Sequence, residues 1–580
     1  MHAVAFFEDR QAPAGDPAAW RFEGLIDCLQ AHDAASLAAV LARLAAEPAW
    51  TVLALDYELG YVLEPHAAPA GWMPSPARPL ARFWRFSERI ACSAEAAEAW
   101  LAQHAGDAAA GVVDLSPALD EKAYCQAVDR IQHWITEGDC YQVNFTFPLS
   151  FRWFGSPLAL YRRLRARQPV RYGGCVSDGA SAWVSLSPEL FIERQGEIVR
   201  TRPMKGTAPR AVSADVLRES TKDRAENLMI VDLLRNDLGR VAEHGSVRVE
   251  RLFEIEAYPT VWQMVSEISA RVPGGDFEAI LRALFPCGSI TGAPKIRAMQ
   301  IAAELEQTPR GLYTGALGWL APNGDFRLNV AIRTLALEAD GRGRMGVGSG
   351  IVADSVASAE WQECLLKGRF LTDADPGVQL IETLRLENGQ FPHLAGHVAR
   401  LRRSAACFAF PLDEADLRGR LDALPKTGVW RVRVTLDKAG QLVVAHFPLA
   451  PEPAGPRHAT LAATPIVSAD PLRAHKTTAR AVYDAALAGI AAQPEIFDVV
   501  FLNERGEVAE GARSSVFVER DGVLLTPPLN SGALPGVLRA ALLASGRARE
   551  AMLMPADLAG GFWLGNALRG LIPVALRSTS

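Results

Sequence analysis

The chain is 580 residues long, 49% hydrophobic and 22% charged, with a formal net charge of −6. At about 150 residues per domain this predicts several globular units and excludes a disordered chain, and a mild negative charge without a basic run excludes nucleic acid as the main partner. No apolar run reaches the ~18 residues of a membrane span, the N-terminus lacks a basic signal-peptide start, and eight cysteines without CxxC spacing read as reduced thiols of a cytoplasmic protein.

In chain order, the pattern predicts a helix over 36–46, a strand over 50–55, and a loop from Pro65 to Pro79, where five of fifteen residues are proline. An amphipathic helix over 119–138 leads into Asp139-Cys140-Tyr141-Gln142-Val143-Asn144 and an alternating strand. Strands over 183–187 and 197–202 make a hairpin-like return that brings Glu189 towards Lys205. A helix follows from Lys222, with Asp223 and Glu226 on one face at i, i+3. Phe285 to Lys295 is a Gly/Ser/Thr turn entering a helix with proline near its first turn, a place where free N–H groups meet an anion. After Gly348-Ser349-Gly350, the residues Glu360, Glu363 and Lys367 stack at i, i+3 and i+7 of another helix. The polar, turn-rich stretch from Leu371 to Gly377 reads as a linker, and a second strand–helix region follows.

Only eight of the 60 basic residues are lysine. Guanidinium does not deprotonate in a protein and an amine does, so lysine is the residue available as a nucleophile or carbonyl-bonding group. Two acidic helix faces supply the carboxylates that Mg²⁺ takes alongside water and substrate. Each cluster alone reads as a solvated face or an ordinary turn; the four in this order point to a Mg²⁺-dependent site for an anionic substrate.

Residues from about 118 to 370 resemble the chorismate-binding enzymes: anthranilate synthase, aminodeoxychorismate synthase component I and the isochorismate and salicylate synthases. Besides the segments above, Lys222 to Arg240 and Leu328-Asn329-Val330-Ala331-Ile332-Arg333-Thr334 carry the likeness. The resemblance implies Mg²⁺ on Glu226 and Glu363, with Asp223 and Glu360 supporting through water. It implies Thr291, Gly292, Arg333, Gly350 and Lys367 on the substrate, and Glu189 as general acid at the leaving 4-hydroxyl. Where anthranilate synthases have alanine before Gly-Thr, aminodeoxychorismate synthases have lysine, and this chain reads Pro203-Met204-Lys205-Gly206-Thr207. An amine there attacks C2 of the ring and leaves C4 open to ammonia. One departure is Gln263, where many relatives carry histidine.

In the second region Lys476, one of three lysines there, a later carboxylate and a Pro-Gly turn opening a helix match what a carbonyl cofactor with a phosphate needs. His475-Lys476-Thr477-Thr478, Glu510-Gly511, Leu534-Pro535-Gly536-Val537-Leu538 and Gly565-Asn566 resemble the fold-type IV pyridoxal phosphate enzymes, among them aminodeoxychorismate lyase and branched-chain aminotransferase. The likeness implies Lys476 as the cofactor-bonding catalytic amine and Glu510 on the pyridine nitrogen. Arg400, Val537, Leu538 and Asn566 are implied on the phosphate. Its usual first strand is missing, so the module starts late.

The expectation is an α+β chain: a chorismate-binding-enzyme fold of antiparallel sheets packed with helices, then a fold-type IV α/β module. The boundaries are 1–117 for the N-terminal part of the synthase, 118–371 for its catalytic domain, 372–378 for a linker and 379–580 for the pyridoxal phosphate module. The implied function is Mg²⁺-dependent amination of chorismate to 4-amino-4-deoxychorismate, then release of pyruvate and 4-aminobenzoate for folate. The alternatives are a transaminase or a non-catalytic second module, or anthranilate-synthase-type activity in the first. No Gly-x-Cys-x-Gly-x-Gln segment is present, so ammonia comes from solution or from a separate glutamine amidotransferase subunit.

Overall fold

The computed structural model describes residues 3–258, 261–453 and 455–577. The chain divides into two units. One holds the residues up to Ala108, Leu115–Phe151 and Gly155–Ala374; the other holds Ala109–Asp114, Arg152–Phe154 and everything from Asp375 onward.

The first unit is built on an extended system of antiparallel strands, with helices laid on it by their apolar stripes. Helix Ala34–Ala46 is started by a capping box between Asp33 and Ser36, and buries Leu37, Val40, Leu41 and Leu44 at i, i+3, i+4, i+7. Strand Trp50–Leu55 forms where its β-branched and aromatic run predicts.

Two further helices position the candidate site. Thr221–Gly239 is capped by Ser220, whose hydroxyl accepts from the Asp223 N–H at 3.2 Å. Its second half buries Ile230, Val231, Leu234 and Leu238 in the core, each contributing about 1.5–3 kcal/mol. The first turns, carrying Asp223 and Glu226, are left at the surface of that core. Ala357–Asp373 buries Trp361, Cys364, Gly368 and Leu371. Trp361 stacks on Phe147 at 5.1 Å and meets Tyr124 at 5.4 Å, which orients the helix so that Glu363 and Lys367 project from another face. A side chain at Gly368 would lie 2.5 Å from Leu149 Cδ1, so the helix sits against the strand as closely as glycine permits.

Two local expectations are corrected. The hairpin runs between strands Leu190–Gln195 and Ile198–Arg202, whereas Ser181–Ser187 pairs with Tyr172–Ser177 and Thr334–Glu338. Gly196, at φ +60°, makes the turn that fixes this pairing. Glu189 therefore precedes the hairpin, and Lys205 lies on a further strand, Met204–Pro209. The helix before the polar stretch also continues to Asp373, because Leu371 is buried and anchors its last turn.

The second unit has a three-stranded antiparallel sheet, Leu380–Glu387, Val429–Leu436 and Leu442–Pro448. Its eight-stranded sheet is mixed, with His458–Leu461 parallel to both Ile496–Leu502 and Gly570–Leu576. The core around Val432, Val434 and Leu436 takes in Val113 and Phe154. Two upstream segments thus belong to this unit. No helix among the described residues is long and apolar enough to cross a membrane.

Replacing Trp361 by alanine should cost about 3–5 kcal/mol through the cavity it opens. Urea unfolding of the variant checks this, and an unchanged midpoint would show that the stack with Phe147 does not hold the helix.

Candidate active sites

In the first unit, the side chains that converge are Glu189, Lys205, Glu226, Glu363 and Lys367. Glu189 is 4% exposed and accepts from the Ser289 hydroxyl at 2.6 Å. Burial pushes its carboxyl up to about 7, against the opposing pull of Ser289 and Lys205. Lys205 is held below the ordinary lysine range by burial; Glu226, Glu189 and Glu363 favour its charge, and Lys367 opposes it. Burial also raises Glu226, with Lys205 and Lys222 working the other way. Glu363 is exposed and bonded to Lys367 at 2.8 Å. Burial works to raise it, but Lys367, Lys205 and Lys222 together leave it below the usual range.

Gly350 forms the floor beside Lys205. A Cβ added there would lie 3.5 Å from Lys205 Nζ and 2.8 Å from Gln142 Nε2. Gln142 is 1% exposed and neither atom of its amide has a hydrogen-bond partner among the described residues, which marks a group made to bond something else. Gln142 stands in a segment the sequence reading used but was not singled out, because an amide in a strand carries no signal until its partners are missing.

The remaining first-unit candidates are held by contacts of their own. Gly292 pairs with Val143, and a side chain on it would collide with the Gln142 carbonyl at 2.2 Å. Thr291 is 1% exposed and donates to the Cys287 carbonyl at 2.8 Å. Arg333 sits at φ +49°, a conformation costly for a side-chain-bearing residue, and is lowered by burial with Tyr258 opposing. It has no carboxylate partner among the described residues. Lys367 also donates to the Gly348 carbonyl at 2.8 Å. Asp223 lies against Gly206, and Glu360 accepts from Ser355 at 2.8 Å. Among the described residues no group of three His, Cys, Asp or Glu is closed around a metal; the two carboxylates Glu226 and Glu363 share Lys205 as a charged neighbour, a hard-oxygen donor set of the kind Mg²⁺ takes with water and substrate.

The second unit contains a cavity of about 410 Å³ lined by Lys476, Arg400, Glu510, Gly536-Val537-Leu538 and Asn566, within the usual size for a cofactor site. The Lys476 backbone is tied to the first strand of the sheet, its carbonyl accepting from Ile381 N–H at 2.8 Å. Burial lowers its amine to about 8, helped by Arg400 and Arg480 and opposed by Glu382 and Glu510. Glu510 is raised by burial, while a bond from the Tyr483 hydroxyl and one from the Leu534 N–H at 2.9 Å favour its charged form. Arg473 in turn donates to Tyr483 at 2.5 Å.

Arg400 is not a free cation. Its Nε and Nη2 bond the buried Glu382 at 2.8 and 2.6 Å, and Nη1 reaches the Pro535 carbonyl at 3.3 Å; His397 holds Glu382 from the other side at 2.7 Å. Asn566 spends its amide on Arg513 O and on the N–H groups of Leu568 and Arg569. Glu382, Tyr483 and Arg473 escaped the sequence reading, since nothing in their spacing marks partners brought together from distant segments.

The chorismate binding enzyme model matches residues 21–373, well over half the chain. The chain belongs to that family. The amino-transferase class IV model matches residues 379–576, and this class implies pyridoxal phosphate. Aminodeoxychorismate synthase component 1 of Klebsiella aerogenes is 44% identical over 254 residues, 42% of this chain and 56% of the relative. Anthranilate synthase component 1 of Streptomyces coelicolor is 43% identical over 265 residues, 44% of this chain and 52% of the relative. The chain spans about half the length of the curated relatives it matches. The menaquinone-specific isochorismate synthase MenF of Escherichia coli has the same fold in the first unit, with a TM-score of 0.50 at 17% identity over 64% of this chain and 88% of that one.

Glu189 yields a pH test. Its folded-state affinity for a proton is raised from 4.5 to about 7, so its contribution to stability is fully present below pH about 4.5 and is lost as pH rises through 7. Glu189→Gln should lose less stability than wild type between pH 5 and 8. Equal losses in thermal melts of the two proteins would show that Glu189 ionises normally.

Proposed function

We propose that the chain makes 4-aminobenzoate in two steps, aminating chorismate to 4-amino-4-deoxychorismate in the first unit and releasing pyruvate in the second. The observation that carries this reading is Lys205, an amine below its ordinary affinity for protons beside a carboxyl that half-holds a proton at neutral pH.

In the first unit Arg333 and the Thr291-Gly292 backbone hold the substrate's carboxylates. Lys205 bonds C2 as the C4–O bond breaks, and Glu189 gives its proton to the departing hydroxyl, which leaves as water. Ammonia then bonds C4 and the C2–N bond to Lys205 is released. Glu226 and Glu363, with Asp223 and Glu360 through water, would hold Mg²⁺, whose charge offsets that of the substrate's carboxylates.

In the second unit Lys476 would hold pyridoxal phosphate, with Glu510 for the pyridine nitrogen and Arg400, the Val537 and Leu538 backbone and Asn566 for the phosphate. The cofactor, when bound, supplies an electron sink. Lys476, its amine freed from the cofactor once the substrate's amine takes its place, would take the C4 proton and pass it to the enolpyruvate that departs as the C3–O bond breaks, giving pyruvate, and aromatisation of the ring drives the step. The two units together form a sequence in which the second consumes what the first makes.

Nitrogen comes as ammonia or from a separate amidotransferase subunit. Burial pushes Cys287, beside the carboxylate-binding turn, up to about 12, which removes it as a thiolate nucleophile at neutral pH. All eight cysteines are free, which fits a cytoplasmic setting.

With chorismate, Mg²⁺ and ammonium, the purified chain should release 4-aminobenzoate and pyruvate. Lys205→Ala should abolish this yet still convert supplied 4-amino-4-deoxychorismate; Lys476→Ala should stop at that intermediate. Unchanged 4-aminobenzoate output from Lys205→Ala would sink the assignment. Glu226→Gln or Glu363→Gln should raise the Mg²⁺ concentration needed for half-maximal rate, and an unchanged titration would remove these two residues from the metal site. Glutamine alone should give almost no product until an amidotransferase subunit is added; brisk glutamine use by the isolated chain would expose an unrecognised glutaminase site.

A further inference from the structure

Lys205 does not sit on a regular strand. In the pairing of Met204–Pro209 with Val261–Arg271, Met204 faces Val265 and Thr207 faces Gln263. Three steps on one strand oppose two on the other, so the ladder carries an extra residue at Lys205-Gly206. Such a bulge re-aims a side chain and interrupts the backbone bonds around it. Gly206 takes φ +87°, and a Cβ there would lie 2.9 Å from Asp223 Oδ1 and 3.0 Å from Leu217 Cδ1. The bulge is therefore pressed against helix Thr221–Gly239 on one side.

On the other side stands Gln263. Its Nε2 donates to the Gly206 carbonyl at 2.8 Å, and its Oε1 accepts from the Thr207 hydroxyl at 3.0 Å. One amide thus bonds two consecutive residues immediately after Lys205. A primary amide presents donor and acceptor from one carbon, whereas the two nitrogens of an imidazole point apart. Histidine at this position reaches one of the two groups and leaves the other unmet.

We propose that Gln263 is a positioning residue for the amination step: its amide stitches the bulge and holds Lys205 aimed at C2 of the substrate. This rests on the amination reading of the first unit. With Lys205 held there, C2 is covered and ammonia is left C4. When the stitch is cut, Lys205 spends less time over C2, and ammonia bonds C2 directly as the C4–O bond breaks and Glu189 protonates the leaving hydroxyl. The result is a 2-amino isomer in place of the 4-amino product.

The test uses the full chain with chorismate, Mg²⁺ and ammonium, reading kcat, KM and the ring position of the new amine. Gln263→Leu removes both bonds. Gln263→Glu keeps the shape and the acceptor for Thr207 but sets a carboxylate against the Gly206 carbonyl, so it serves if the leucine variant folds poorly. Loss of both hydrogen bonds predicts a fall in kcat of about tenfold or more. KM for chorismate should stay within about twofold, since the substrate's binding groups are untouched, and the 2-amino isomer should appear. Thr207→Val, which cuts one bond, should lose less than Gln263→Leu. A wild-type chain that aminates C4 alongside variants with its kcat and its single product overturns the positioning role alone. A loss confined to KM, or a fall in rate with no 2-amino isomer, overturns it as well. A wild-type chain that does not aminate C4 overturns both this role and the reading beneath it.

Discussion

An amine taken out of water among carboxylates is the constraint on which the first unit depends. On the proposed amination Lys205 has to give up a proton to act as a nucleophile, and burial drives it that way. Every carboxylate around it works in the opposite direction, as Glu226, Glu189 and Glu363 do here. The balance is tolerable because the acids are themselves compromised: burial raises both Glu189 and Glu226, and Glu363 is shared with Lys367. Lys205, Glu189, Glu226 and Glu363 are all moved from their ordinary values, and the packing that imposes this is remote from the chemistry. Ile230, Val231, Leu234 and Leu238 seat one helix and Trp361 and Leu371 the other, and the charged residues ride on their exposed faces.

The second unit meets the same problem with arginines in place of a second lysine. Lys476 is brought to about 8 by burial, with Arg400 and Arg480 adding to the effect. Arg400 could not do this undirected: Glu382, itself bonded by His397, holds its guanidinium. Burial raises Glu510, against bonds from Tyr483 and a backbone N–H that favour its charged form. Both units therefore lower an amine by desolvation and then spend neighbouring groups on holding the surrounding charges still.

Much of this was legible in the sequence, for physical reasons. Helical periodicity placed Asp223 and Glu226 on one helix and Glu360, Glu363 and Lys367 on another, because i, i+3 spacing survives any tertiary arrangement. The scarcity of lysine pointed at Lys205 and Lys476. What escaped was set by long-range pairing. The bulge at Lys205-Gly206 arises from the register against Val261–Arg271, which no local pattern encodes, and Gln263 read as a departure from relatives before its two bonds were visible. The orphaned Gln142 amide and the Glu382–Arg400 pair are likewise products of packing. Val113 and Phe154 joining the second unit's core had no signal at all, being ordinary apolar residues far from the segment they complete.

The central claim is that ammonia enters at C4 and that the ring then loses pyruvate on the same chain. Supplying ¹⁵N-ammonium with chorismate and Mg²⁺ to the full chain loaded with pyridoxal phosphate, and following the products by NMR with a parallel pyruvate assay, tests both halves at once. The account predicts one ¹⁵N per molecule in the amine para to the carboxyl, with pyruvate released in equal amount. Label in an ortho amine, or labelled aminodeoxychorismate accumulating without pyruvate, would contradict it.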